Sequence, residues 1–114
     1  MKAKIYHNPR CNKSRAALAL LTERGVDFDV IDYLTTPPST ATLRDLLRKL
    51  GGPALAIVRT DEPEFRPYAG RALSDDEIVH LLADQPRLLQ RPIVELDSEA
   101  RIGRPPERVL ELFE

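Results

Sequence analysis

The chain has a single cysteine in 114 residues, so no disulfide can form within it, and a reducing compartment suits it. Its two histidines, His7 and His80, lie far from each other in sequence, which is too sparse a set for a zinc site. A phosphate-cradling glycine-rich loop is missing, and so are internal repeats and low-complexity tracts. No apolar run approaches the length of a membrane helix, and "MKAKIYHNPR" turns polar where a signal peptide would need its apolar segment. The formal net charge of −1 gives no bulk attraction to nucleic acid or membrane. These absences predict a cytoplasmic monomer with no bound metal or cofactor and no nucleic-acid or membrane partner.

What is present is ordinary in bulk. Hydrophobic residues make up 42% and charged residues 31%, and the length suffices to bury a core without staples. One domain over residues 1–114 is expected. Among 17 basic residues, 13 are arginine, which offers a planar fork suited to oxyanions.

Periodicity divides the chain. "AKIYH" alternates and stops at Asn8-Pro9, as a strand entering a turn does. "SRAALALLTER" carries Ala17, Leu18, Leu21 and Leu20 at helical spacing, and Gly25 is placed to end that helix. "DFDVIDYL" reads as a second strand, which makes a βαβ unit with parallel strands. "STATLRDLLRKLGG" shows Leu43, Leu46, Leu47 and Leu50 on one face, and "SDDEIVHLLAD" opens on a Ser74/Glu77 capping box with His80 on its surface. Between these helices "AIVRTDEPEFRPYAGRAL" has no period and reads as loop. "RPIVELDSEARIG" predicts a hairpin turning at Asp97-Ser98-Glu99, and "RPPERVLELFE" a last helix with Val109, Leu110 and Phe113 facing inward.

The cysteine sits in "YHNPRCNKSR", between Arg10, Lys13 and Arg15. Burying it would hide those cations as well, so Cys11 is expected to be exposed. At a helix N-terminus, unpaired N–H groups and the dipole favour a thiolate. Such surroundings lower a thiol from its usual pKa of about 8.5 to ~3.5–7.5. Ser14 completes a C-x-x-S spacing. It can donate to the Cys11 sulfur or serve as a simple cap, but it cannot resolve a mixed disulfide. Any redox cycle must borrow its second sulfur from another molecule.

"IYHNPRCNKSR", "PIV" after "QR", and "RIGRPPERVLE" together resemble the glutaredoxin-dependent arsenate reductase family, in particular its short chromosomal members. The resemblance implies an α/β, thioredoxin-like (glutaredoxin-like) fold, with a helical insertion at about 38–88 between an N-terminal βαβ unit and a C-terminal ββα unit. It implies thiol-dependent reduction of arsenate to arsenite, with Cys11 as nucleophile and Arg59, Arg91 and Arg104 binding the oxyanion. Forked guanidiniums suit a tetrahedral dianion, although each arginine taken singly reads as a solvated surface charge. His7, Asn8, Ser14, Arg15 and Pro92 would support the site. Pro92 matches the cis-proline that thioredoxin-like folds keep beside the active cysteine. His7 matches a family histidine near the thiol, or is a packed strand-end residue. Glutathione as co-substrate and glutaredoxin as partner are further implications. Two rival functions keep the fold. A redox-sensitive transcription regulator binding RNA polymerase typically carries a C-x-x-C switch, which Ser14 makes unavailable here. A general glutathione-dependent thiol transferase would act on disulfides instead of arsenate.

Overall fold

The computed structural model describes residues 2–114; Met1, the first residue of the expected domain, lies outside the described residues. Four strands, β1 (Ala3–His7), β2 (Phe28–Asp32), β3 (Ile93–Glu95) and β4 (Ala100–Ile102), form one sheet in the order β2-β1-β3-β4. β1 and β2 are parallel, whereas β3 pairs antiparallel with both β1 and β4. Helix α1 (Asn12–Arg24) joins β1 to β2, and α2 (Thr40–Leu50) and α3 (Asp75–Asp84) lie between β2 and β3. This is the thioredoxin-like α/β arrangement that the sequence predicts. No helix among the described residues is long and apolar enough to cross a membrane.

Alternation along the central strands splits the core between the two sheet faces. Ile5 and Val94 pack with Ala3, Ala17, Leu21, Val109 and Leu112, so α1 and the C-terminal segment cover one face. Tyr6 and Ile93 belong to the larger cluster with Tyr33, Leu43, Leu46, Ile78 and Leu82, under α2 and α3. The helix boundaries follow local chemistry. Gly25 ends α1 at φ 73°, donating to the Leu21 and Thr22 carbonyls, a conformation that favours glycine. Ser74 and Glu77 form the expected capping box at α3. A buried ion pair pins α2 to the sheet: Lys49 Nζ lies 2.7 Å from Glu95 Oε2, whose other oxygen accepts from Tyr6 at 3.0 Å.

Three local expectations change. β2 ends at Asp32, because the Asp32 carboxylate accepts from Leu34 at 3.2 Å and its carbonyl from Thr36 at 2.8 Å, turning the chain. The segment read as loop contains a short 3₁₀ helix, Pro63–Tyr68, and its first residues end another, Ala54–Ile57. The last helix is also 3₁₀, over Pro106–Phe113, and buries Val109 and Leu112. Three residues per turn put 109 and 112 on one line, so Leu112 takes the inward place expected of Leu110.

Candidate active site

The site grows from the ends of two parallel strands. His7 pairs with Asp32 in register, so the chain leaves β1 and β2 side by side. After β1, Asn8 shapes the turn: its Oδ1 accepts from the Arg10 N–H at 2.9 Å and its carbonyl from the Cys11 N–H at 3.0 Å. Arg15 braces the loop from outside, donating to the Pro9 carbonyl at 2.9 Å and to Asn12 Oδ1. Cys11 is the N-cap of α1, in extended conformation, with no side-chain cap of its own.

Cys11 is half-buried, not freely exposed. Burial pushes the thiol pKa up, but the Ser14 N–H, the Arg91 guanidinium and the Lys13 N–H favour the thiolate, and the net value falls below that of an ordinary thiol. The depression therefore comes from the helix N-terminus and a distant arginine. Of the neighbouring cations, Arg15 is turned onto the loop backbone instead.

Ser14 also departs from its expected role. Its side chain is fully buried, accepts from the Asn8 N–H at 3.0 Å and lies 2.7 Å from His7 Nδ1. With Asn8 donating, the Ser14 hydroxyl is free to donate to Nδ1 of a neutral His7, which pairs both contacts of that oxygen. Burial lowers the His7 pKa below 6.5, opposed by Asp32 and aided by Arg15, which agrees with that neutral ring. Ser14 thus reaches the thiol through its backbone N–H, and its hydroxyl ties β1 to α1.

A cleft of about 550 Å³ opens over this loop, lined by Asn8, Tyr33, Arg59 and Arg91 among others. Arg91 precedes Pro92, and the bond between them is cis. Pro92 is buried against Gly103, whose N–H donates to the Pro92 carbonyl at 2.9 Å. Two guanidinium nitrogens of Arg91, Nε and Nη1, are buried without any hydrogen-bond partner. Arg59 reaches the same cleft because residues 57–59 are zipped to 88–90: Val58 bridges Leu89, Arg59 N–H donates to the Leu88 carbonyl at 2.8 Å, and Gln90 N–H to the Ile57 carbonyl at 2.7 Å. Its guanidinium also pairs with Glu62 at 2.5 Å. Arg104 is not among the cleft-lining residues; its Nη1 donates to the Arg91 carbonyl at 2.9 Å.

The structure adds residues that motif reading passed over. Tyr33, read as part of a strand, lines the cleft together with Arg10, Asp32 and Arg87. A signal for Tyr33 existed, since parallel strands β1 and β2 end at the same edge of the sheet, and Tyr33 follows the end of β2 as Asn8 follows the end of β1. Arg87 lies outside every motif and left no such signal.

Comparison with known proteins covers both the thiol loop and the arginines. The model of the ArsC family matches residues 6–112. A protein of Escherichia coli K12 described as the uncharacterized protein YfgD is 48% identical over 114 residues, covering 97% of this chain and 96% of its own. An arsenate reductase of Neisseria meningitidis is 43% identical over 109 residues, covering 93% of each. Among solved structures, an arsenate reductase from Vibrio cholerae superposes with a TM-score of 0.92 at 43% identity, covering 97% of both chains.

Proposed function

This chain belongs to the ArsC family, and on that premise we propose that it reduces arsenate to arsenite through Cys11, drawing electrons from glutathione and glutaredoxin in the cytoplasm. The observation that carries the reading is the pair of buried, unpartnered Arg91 nitrogens. A buried donor without an acceptor is costly, and a bound oxyanion would supply the acceptors beside a thiol already biased toward its thiolate. Arg91 and Arg59 hold the anion, and Arg104 steadies Arg91 through its carbonyl.

The thiolate attacks arsenic, an As–O bond breaks, and the departing oxygen takes a proton to leave as water, giving a Cys11–S–arsenate adduct. Glutathione sulfur then attacks the Cys11 sulfur. The S–As electron pair leaves with arsenic, which departs as arsenite, and a Cys11–glutathione disulfide remains for glutaredoxin to reduce. No second thiol exists in the chain, so the resolving sulfur comes from outside and no cofactor stays bound.

The test is NADPH oxidation coupled through glutathione reductase, glutathione and glutaredoxin. Arsenate-dependent turnover that disappears in Cys11→Ser is the expected result, and thioredoxin without glutathione should barely support it. Turnover confined to disulfide substrates would instead make the protein a general thiol transferase.

A further inference from the structure

We infer that Tyr33 is a catalytic residue of this site, its phenolic O–H delivering the proton that lets an oxygen of the bound oxyanion leave as water. The inference rests on the arsenate-reducing reading above. That reading leaves one proton without a source. Attack by the Cys11 thiolate on hydrogen arsenate, a dianion, consumes one proton: Cys11–S⁻ + HAsO₄²⁻ + H⁺ gives Cys11–S–AsO₃²⁻ and H₂O, with arsenic still pentavalent. The arginines cannot provide it, since a guanidinium does not release protons at neutral pH. His7 is buried and its Nδ1 is committed to the Ser14 hydroxyl at 2.7 Å.

Tyr33 has the right placement. His7 pairs with Asp32 at the ends of β1 and β2, so Asn8 and Tyr33 leave the two strands at the same end of the sheet, and both line the cleft. The turn held by Asp32 fixes the backbone there, with N–H donation from Leu34 and Thr36. The ring is locked in the larger core cluster and only 1% of the residue is exposed, yet it lines the cleft with Arg59 and Arg91. Its oxygen lies within the electrostatic reach of Arg91, Arg59 and Cys11 and of the Asn8 side chain. The phenol is therefore held rigidly where an anion on those arginines would present its oxygens.

The proton balance is favourable in both directions. Burial raises the phenol pKa despite the opposing pull of Arg91, Asn8 and Arg59, so Tyr33 is protonated and ready at neutral pH. A hydroxide leaving group is far more basic than a phenolate, water ionising near pKa 15.7, so transfer to it runs downhill. The tyrosinate so formed is stabilised by the Arg91 and Arg59 charges that act on it and regains its proton from solvent through the cleft they share.

Tyr33→Phe tests this while leaving the ring in the core. The expected result is a fall in kcat for arsenate of about 100-fold, the lower end for a lost general acid, with KM changed less than about 3-fold. Iodoacetamide should alkylate Cys11 in the free variant at the wild-type rate, because the thiol and its helix are untouched. A variant whose kcat stays within about 3-fold of wild type overturns the inference. Equal losses in alkylation and in reduction also overturn it, since they would make Tyr33 a support for the thiol loop. Wild-type protein that fails to reduce arsenate overturns the functional reading and this one together, whereas the first two outcomes leave arsenate reduction standing.

Discussion

Replacing Ser14 by alanine removes a single oxygen atom, and the polar part of its effect can be worked out from two distances. The hydroxyl holds the Asn8 N–H at 3.0 Å and His7 Nδ1 at 2.7 Å, in a side chain with no exposure. Without it, a buried ring nitrogen and a part-buried backbone N–H lose their partners. Unsatisfied buried groups cost roughly 1–3 kcal/mol each, and the half-buried Asn8 belongs near the low end. Alanine recovers about 0.5 kcal/mol through its better helix propensity. The net loss is about 1.5–3.5 kcal/mol, a large share of the ~5–15 kcal/mol that typically separates folded from unfolded states. Urea unfolding of Ser14→Ala should show that shift in midpoint at unchanged m. The residue-14 backbone N–H remains in the alanine variant, so Cys11 should keep its enhanced alkylation at neutral pH in the folded fraction. A Ser14→Ala midpoint within ~0.5 kcal/mol of wild type would refute the claim that this hydroxyl ties β1 to α1.

Other perturbations read different parts of the site. Arg91→Lys keeps the charge but loses the fork; one charge-assisted hydrogen bond is worth roughly 1.5–3 kcal/mol, so kcat/KM for arsenate should fall about 10- to 150-fold, while Arg91→Leu should move the alkylation midpoint of Cys11 up toward that of an ordinary thiol. His7 titrates below 6.5 in the folded protein, so the unfolded chain binds more protons as pH drops from 6.5 and stability declines there. His7→Gln should flatten urea midpoints between about pH 6.5 and 5, because the carboxylates with lowered values, Asp45, Asp76 and Glu77, act at lower pH. An unchanged slope would exclude His7 as the source. In Gly103→Ala a new Cβ would meet Pro92 Cγ at 2.7 Å and Val109 Cγ1 at 2.9 Å. Overpacking of that kind costs about 1–3 kcal/mol, and the displaced Pro92 should carry Arg91 with it, raising the KM for arsenate as well as lowering the unfolding midpoint.

The elements most legible in the sequence were those punctuated by local chemistry. Asn8-Pro9, Gly25, and the Ser74/Glu77 pair each act within a few residues, so the βαβ unit and α3 could be placed from spacing alone. Motif position also pointed to Cys11, Arg59 and Arg91, which the fold brings to one end of the sheet. What stayed hidden depended on tertiary pairing or on a different period. Leu110 and Leu112 exchange roles because the last helix winds at three residues per turn. Ser14 looks like a partner for the cysteine three residues earlier, but α1 turns its hydroxyl back toward β1. Tyr33 resembled any aromatic strand residue until the turn at Asp32 ended β2 before it and left it lining the cleft with Asn8.

The unpartnered nitrogens of Arg91 also make the protein a detector of its own ligands. Any anion that satisfies them binds the folded state and not the unfolded chain, and so raises the melting temperature by ligand linkage. At a hundred times its dissociation constant such an anion adds about 2.7 kcal/mol. Arsenate, phosphate, sulfate and selenate can therefore be ranked by thermal shift in Cys11→Ser, with no thiol donor or coupling enzymes present. The ranking would separate what the pocket selects from what the sulfur can reduce.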